Sequence, residues 1–519
     1  MSANDFPMVW GPHPPVTLAQ LAAMAGPSRK VKIFDALVSG LDLREFGKWA
    51  AEADAIGITC SASQLALNAE ITVRLVRRLR PDLPIIMGGH HPTFYGPEWL
   101  ARGATIIVHG EGEHTLAELL DRIEKKRGFH DVKGISFMEG GQVVRTPERE
   151  MVTDLDSLPF PAWDMMDLRG YQQFTARGGL TVSLETSRGC TNRCSFCLAT
   201  RMWDGKQRYR SIPKVIEDLK RLQGMGADQL LFVGDGFGNP PEYHAELMRE
   251  MLKTGIDMHW MSFMRVDSIL KDPILPALMA RSGCKAVFIG FESPRQDLLK
   301  KWNKGPSGAA DVSTYPEVFR LLDQAGILVF GFLLVGHPDE RPEDIPETMR
   351  LNQQWCDIPL VNALQPMKGT PDYNDYERRG ILAKDMFYHD VRIPSLKGVE
   401  KNVPIAMRIF MRQILFKFPF HVFSRKETKR RFLRHMYRFL AGEFAAASLD
   451  GMRDYLKLLN FGGLSPAELQ DAIVRKHTSE ERLALLARAS AGSRPVPDPD
   501  RKKWQKYCSA NACGTSNFT

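Results

Sequence analysis

The sequence predicts an α/β protein: an N-terminal Rossmann-like domain, a central open (β/α)6 barrel and a C-terminal helical region. Three observations carry this. Strand-like and helix-like segments alternate through residues 1–150. After a proline-containing connector the alternation resumes for about six units, to residue 364. From residue 386 the strand rhythm is lost and helical spacing takes over. The predicted divisions are 1–150, a linker at 151–178, the barrel at 179–385, the helical region at 386–495 and a polar, disordered tail at 496–519. A length of 519 residues suits two or three domains, and 44% hydrophobic with 25% charged residues excludes a fibrous or disordered chain.

In the first domain, Val31–Phe34, Ala55–Cys60, Ile85–Met87 and Thr105–Val108 read as strands. Asp42–Ala53, Asn68–Leu79, Pro97–Arg102 and Glu113–Lys126 read as helices, so a doubly wound parallel sheet is expected. Met8–Trp10 is a feeble candidate for an opening strand. Gly128–Thr146 reads as a hairpin turning at Glu139-Gly140-Gly141, and Asp154–Pro161 as the connector. In the barrel, strands are expected at Leu180–Leu184, Gln229–Val233, His259–Met264, Ala286–Ile289, Ile327–Val335 and Leu360–Leu364. Helices are expected at Pro213–Gly224, Pro241–Thr254, Pro273–Ser282 and Tyr315–Ala325.

Both architectures bind ligands beyond the carboxyl ends of their strands. Three loops of small residues fall there in the first domain: Cys60-Ser61-Ala62-Ser63, Gly88-Gly89-His90-His91 and His109-Gly110-Glu111-Gly112-Glu113. Their glycines permit close backbone approach to a large planar ligand. None of the three histidines is read as a metal ligand.

The chemistry centres on Cys190, Cys194 and Cys197, spaced C-x3-C-x2-C. Thiolates are soft ligands, and short Cys-rich loops hold iron–sulfur clusters. Three thiolates leave one iron of a 4Fe–4S cluster open to a substrate or cosubstrate. Structural zinc wants four ligands, and no fourth Cys or His follows at finger spacing. Polar groups also end the later strands: Asp235 and Gly236, Arg265, Glu292 and Ser293, and Gly336.

This loop resembles the signature of the radical S-adenosylmethionine (SAM) superfamily, Cys-x3-Cys-x-aromatic-Cys after the first strand of a partial barrel. The resemblance implies a 4Fe–4S cluster on Cys190, Cys194 and Cys197, with SAM on the open iron. It places the Phe196 backbone near the adenine and SAM contacts at Asp235, Gly236, Arg265, Glu292, Ser293 and Gly336. The three N-terminal loops, Pro14-Pro15 and the connector Leu155–Pro161 resemble the cobalamin-binding domain that precedes many radical SAM domains. That implies cobalamin held by Ser61, Ser63, Gly88, Gly89, His90, Gly110, Glu111, Gly112 and Glu113. Leu37, within Asp35–Gly40, stands where a lower axial histidine would come, which implies cobalt without a histidine beneath it.

Taken whole, the chain resembles the anaerobic magnesium-protoporphyrin monomethyl ester cyclases and related carbon methyltransferases, in pieces such as Gly88–Phe94, Phe196–Arg210 and Tyr437–Leu440. The resemblance implies functionalisation of an unactivated carbon through a 5′-deoxyadenosyl radical. Oxidative cyclisation of a tetrapyrrole leads, and methylation from methylcobalamin follows. A non-catalytic cobalamin or iron–sulfur sensor is a third reading, against which the intact three-Cys loop weighs. An external one-electron donor of flavodoxin or ferredoxin type is expected.

The substrate is expected to be large, flat and apolar, shaped by Met386, Phe387, Phe410, Met411, Phe416 and Phe418, with Arg408 and Arg412 for its carboxylates. The formal charge is +8, and Arg425–Arg438 reads as a solvated basic helix face. At most peripheral membrane contact follows, and no nucleic-acid motif is present. No apolar stretch follows Met1, and the apolar run Ile327–Val335 is too short to span a bilayer. Eight cysteines do not form a disulfide framework, and Cys508 and Cys513 fall in the tail. A cytoplasmic setting is expected.

Overall fold

The computed structural model describes residues 13–35, 43–61, 65–171, 180–304, 310–383, 387–388, 395–412, 474–475 and 478–490. Met8–Trp10, Leu37, Ser63, Met386, Phe416, Phe418, Arg425–Arg438, Tyr437–Leu440, Cys508 and Cys513 lie outside them.

Five strands form the first sheet: β1 (Ile56–Thr59), β2 (Ile85–Gly88), β3 (Ile106–Val108), β4 (Ile135–Glu139) and β5 (Gln142–Arg145), side by side in that order. The first three are parallel, and the hairpin β4–β5 continues the sheet antiparallel. Its turn is at Gly140 and Gly141, both at positive φ, as the sequence predicts. Among the described residues the strand order never reverses, so no doubly wound crossing is seen. Val31–Phe34, expected as a strand, joins no sheet. Phe34 instead packs against Phe46 and Trp49 of the helix Leu43–Glu52, and Lys32 lies over the Trp49 ring. A short segment with three apolar residues, Val31, Ile33 and Phe34, is satisfied by side-chain contact as well as by strand pairing, which is why its pattern misleads.

Six parallel strands form the second sheet: β6 (Leu180–Glu185), β9 (Ala227–Val233), β10 (His259–Met264), β11 (Cys284–Glu292), β12 (Leu328–Val335) and β13 (Ile358–Ala363). Helices alternate with them, and among the described residues β6 and β13 are the unpaired edges, so the barrel is open there. The apolar core lies outside the sheet, where Trp260, Val287, Phe291 and Val329 pack against the helices. Between β6 and β9 lies a short antiparallel ribbon that the sequence reading did not foresee, β7 (Ser187–Gly189) with β8 (Gln207–Tyr209). A helix Val16–Met24, also unforeseen, follows Pro15 and packs on the helix Glu113–Glu124 and on β6.

The described parts of the C-terminal region divide between the two sheets. The helix Asn402–Arg412 covers β12 and β13, where Phe410 is buried with Leu333, Val361 and Met407. Phe387 is buried in the first domain against His91, Tyr95 and Trp99. The expectation that Phe387 and Phe410 shape a substrate pocket is therefore corrected. They are core residues, as Phe at helical spacing commonly is. The Arg408 Nε bonds its own helix at the Pro404 carbonyl.

Candidate active site between the two sheets

The cluster loop leaves the ribbon at Gly189, whose φ is +95°. A Cβ there would run into the Lys206 carbonyl, so glycine is what lets β7 and β8 close up at this point. Beyond it, Cys190 and Cys194 are buried and Cys197 half-buried. Ser195 N donates to Trp302 O at 2.9 Å, Cys197 N to Cys194 O at 3.1 Å, and Asn303 Nδ2 to Arg193 O at 2.8 Å. The loop is thus tied to the end of the helix Gln296–Lys301.

Side-chain donors aim at two of the sulfurs: Asn192 Nδ2 at Cys190 (3.5 Å) and Arg265 Nη1 at Cys194 (3.8 Å). Burial, and then neighbouring Cys194, Asp235 and Cys190, push the Cys197 thiol up to about 12. A cation favours ionisation of the Cys197 thiol, because metal ligands bind as thiolates. No three His, Cys, Asp or Glu side chains among the described residues converge for a single ion. Three thiols on one short loop, two of them faced by N–H donors, are a donor set that fits a 4Fe–4S cluster with one iron left open.

Around the cysteines stand the predicted strand-end residues. Arg265 follows β10; its Nε holds Asp267 at 2.8 Å, while its buried Nη2 has no partner. That free donor beside Cys194 fits a ligand carboxylate. Glu292, at the end of β11, has φ +64° and is paired with Lys304 Nζ at 2.7 Å, both buried. Phe196 packs on Trp302 (5.6 Å) with Lys304 Nζ above its ring. Asp235, after β9, accepts from Trp203 Nε1 at 2.6 Å. Gly236 leaves room for the Gln207 amide, which a Cβ would meet. Ser293 and Gly336 are engaged internally: Ser293 Oγ accepts from Arg295 N, and Gly336 N donates to Glu340 Oε2.

The first sheet turns its carboxyl edge to this loop. Gly89 has φ +105°, and a Cβ there would sit 2.8 Å from Cys60 O, so β1 and β2 bring their loops together through bare backbone. Gly88 lies over Val108, Gly112 under Leu21, and Gly110 faces open space. His90 hydrogen-bonds the Ser61 backbone and lies edge-on to Trp203, 6.5 Å away. Burial lowers its pKa, and the nearby Asp235 charge opposes this. His91 and His109 point elsewhere: His91 bridges Trp99 Nε1 and Phe387 O, and His109 bridges Thr93 O and Ser136 Oγ. Burial takes both down to about 4, so they are neutral scaffold groups.

Glu111 and Glu113 reach across to the barrel. Arg188, two residues before Cys190, holds Glu111 at 2.6 Å, Glu113 at 2.8 Å and Glu185 at 2.8 Å. Arg208 holds Glu111 at 3.0 Å, and Val152 N donates to the same carboxylate at 2.6 Å. Burial alone would favour neutral Arg188; Glu185 and Glu113 outweigh it and hold the guanidinium charged. Burial likewise resists ionisation of Glu111, but Arg208 and Arg188 keep it below the usual carboxylate range. What this loop leaves for a ligand is the backbone of Gly110 and Gly112. The sequence held a signal for the pairing, since acidic and basic residues flank both loops. Nothing in it said which would meet.

Two family models match separate parts of the chain. Residues 9–120 match the B12 binding domain and residues 184–351 the radical SAM superfamily. The chain is a cobalamin-dependent radical SAM enzyme. Its cofactors are accordingly a 4Fe–4S cluster, SAM and cobalamin. It is 28% identical over 364 residues to an uncharacterized methyltransferase of Pyrococcus horikoshii, covering 69% of this chain and 77% of the other. It is 25% identical over 446 residues to the anaerobic magnesium-protoporphyrin IX monomethyl ester cyclase of Rubrivivax gelatinosus, covering 82% and 78%. The cobalamin-dependent SAM radical enzyme OxsB shares the fold, with a TM-score of 0.61 at 16% identity over 96% of this chain and 82% of that one. No helix among the described residues is long and apolar enough to cross a membrane.

Proposed function

We propose that this radical SAM enzyme functionalises an unactivated carbon of a large, flat, mainly apolar substrate of tetrapyrrole type, oxidative ring closure being the first reading. The observation that carries the radical part is the facing of the two loop sets: His90 of the first sheet meets Trp203 and Asp235 beside Cys190. When bound, the cluster and SAM would supply a 5′-deoxyadenosyl radical for hydrogen-atom abstraction, and methylcobalamin would supply the methyl group in the methylation reading. Cys190, Cys194 and Cys197 hold the cluster. Arg265, with its unpartnered Nη2, takes the SAM carboxylate, and Glu292 and Asp235 bound the same space. Gly88, Gly89, His90 and the backbone of Gly110–Gly112 form the cobalamin platform.

The cyclase reading is supported by an alignment that runs over 82% of this chain and so beyond the two matched domains. The methyltransferase relative favours a second reading, methyl transfer to carbon. An external donor of flavodoxin or ferredoxin type would deliver the electron. The test is anaerobic, cluster-reconstituted protein with SAM, cobalamin and magnesium-protoporphyrin IX monomethyl ester. Formation of 5′-deoxyadenosine together with an oxidised, ring-closed product supports cyclisation. A product heavier by one methylene supports methylation. No 5′-deoxyadenosine under reducing conditions rejects the radical reading.

A further inference from the structure

Four phenylalanines form a tier inside the open barrel. Phe263 of β10 stands opposite Phe288 of β11, and Phe288 opposite Phe330 of β12, each directly in register. The rings of Phe263 and Phe288 are 4.8 Å apart at 26°, and those of Phe288 and Phe330 are 4.9 Å apart at 19°. Phe332, one step higher on β12, is 6.2 Å from Phe263 at 16°. The rings are thus nearly parallel across three strands. Phe288 and Phe330 are 2% and 1% exposed, but Phe263 is 40% exposed.

A closed barrel fills its lumen with side chains. This one is open between β6 and β13, and the half-open positions on adjacent strands adjoin one another: Val233, Phe263, Gly290, Phe332 and Leu334. Gly290 has no side chain directly above Phe288, and a Cβ there would collide with Glu292. The Glu292–Lys304 pair takes up the space at Gly290, so the open face of the stack is at Phe263. Arg265, two residues on from Phe263 and on the same strand face, reaches the Cys194 sulfur, so the tier lies roughly 6–7 Å below the cluster side of the site. A cavity of about 290 Å³ past the end of β10 is lined by Arg265, Lys271 and Lys304 together with Asp267 and Asp311, and by none of the four phenylalanines.

We propose that the Phe263–Phe288–Phe330 stack, with Phe332, is the floor of the substrate site, and that it takes the face of an extended, flat, conjugated ring system. The inference rests on the radical reading above and names the part of the molecule that selects its substrate. A stack ending in a bare ring gains most from another π-face laid on it, whereas a small polar substrate gains nothing there.

The test is fluorescence titration of the cluster-reconstituted chain with zinc protoporphyrin IX, alongside equilibrium dialysis with SAM. Neither measurement requires turnover, so this floor can fail while 5′-deoxyadenosine still forms, and the reverse. Phe263→Ala is expected to weaken the porphyrin roughly tenfold, as loss of an aromatic stacking partner does, with SAM affinity unaltered. Phe263→Leu keeps the apolar volume without the π-face and should lose most of the same affinity; Phe263→Tyr should retain it. Three outcomes overturn the proposal: Phe263→Leu binding the porphyrin like the wild type, the loss falling on SAM instead, or the wild type binding the porphyrin no better than an acyclic apolar dye.

Discussion

A thiol pushed to about 12 by burial stays protonated at neutral pH, and Cys197 is in that position beside two other buried sulfurs. Replacing Cys190, Cys194 and Cys197 together by Ala should therefore remove about four irons per chain and the visible thiolate–iron absorption. Iron analysis of anaerobically purified protein checks this; unchanged iron would place the cluster elsewhere. A second residue, Glu340, gives a pH signature. Burial raises its carboxyl to about 7, against hydrogen bonds from His337 N and Gly336 N, while Oε1 has no partner. The folded value lies above the unfolded 4.5. Its contribution is thus fully present below the unfolded value and is lost as pH rises through 7, on the order of 3 kcal/mol at most. Urea unfolding of Glu340→Gln should show less decline between pH 5 and pH 8 than the wild type; parallel declines would refute the assignment. At this scale the cysteines were legible because their spacing is local. The partners of Glu111 and Glu113 were not, since Arg188 lies 77 and 75 residues away.

Elements were legible where periodicity is long. All six barrel strands and the β4–β5 hairpin fall where apolar patterning puts them. The β7–β8 ribbon escaped because its three-residue strands carry Arg188, Gly189, Gln207 and Arg208, which no strand pattern flags. Yet that ribbon sets the start of the cluster loop. Gly189→Ala introduces a Cβ against the Lys206 carbonyl at a φ of +95°. The strain alone costs about 1–3 kcal/mol, before the clash. The variant should retain its far-ultraviolet circular dichroism and all three cysteines yet hold substoichiometric iron. Full iron loading would show that the ribbon does not position the loop.

For the whole molecule, the ion-pair cluster at the interface sets how the two sheets meet. Arg188 and Arg208 face three carboxylates, and Glu111 and Glu113 come from the other domain. Removing one partner of such a buried set leaves uncompensated charge and costs about 3–5 kcal/mol. Arg188→Met should therefore expose the linker near Val152 to limited proteolysis and weaken hydroxocobalamin binding, with both cores still folded. A cleavage pattern identical to the wild type would mean the domains are held by other contacts. The order of domains was legible from the alternation of segments. Their mutual orientation was not, because it depends on pairings between distant loops.

The same cluster limits how such a protein can be recombined. A barrel with Arg188 joined to a foreign N-terminal domain whose loop lacks both glutamates would bury a guanidinium with only Glu185 beside it. The reverse graft, onto a barrel without Arg188, would leave Glu113 buried without its guanidinium and Glu111 with a partner fewer. Either half can be inherited separately only if loop and arginine change together, so exchange between genes favours passing on the pair as one unit.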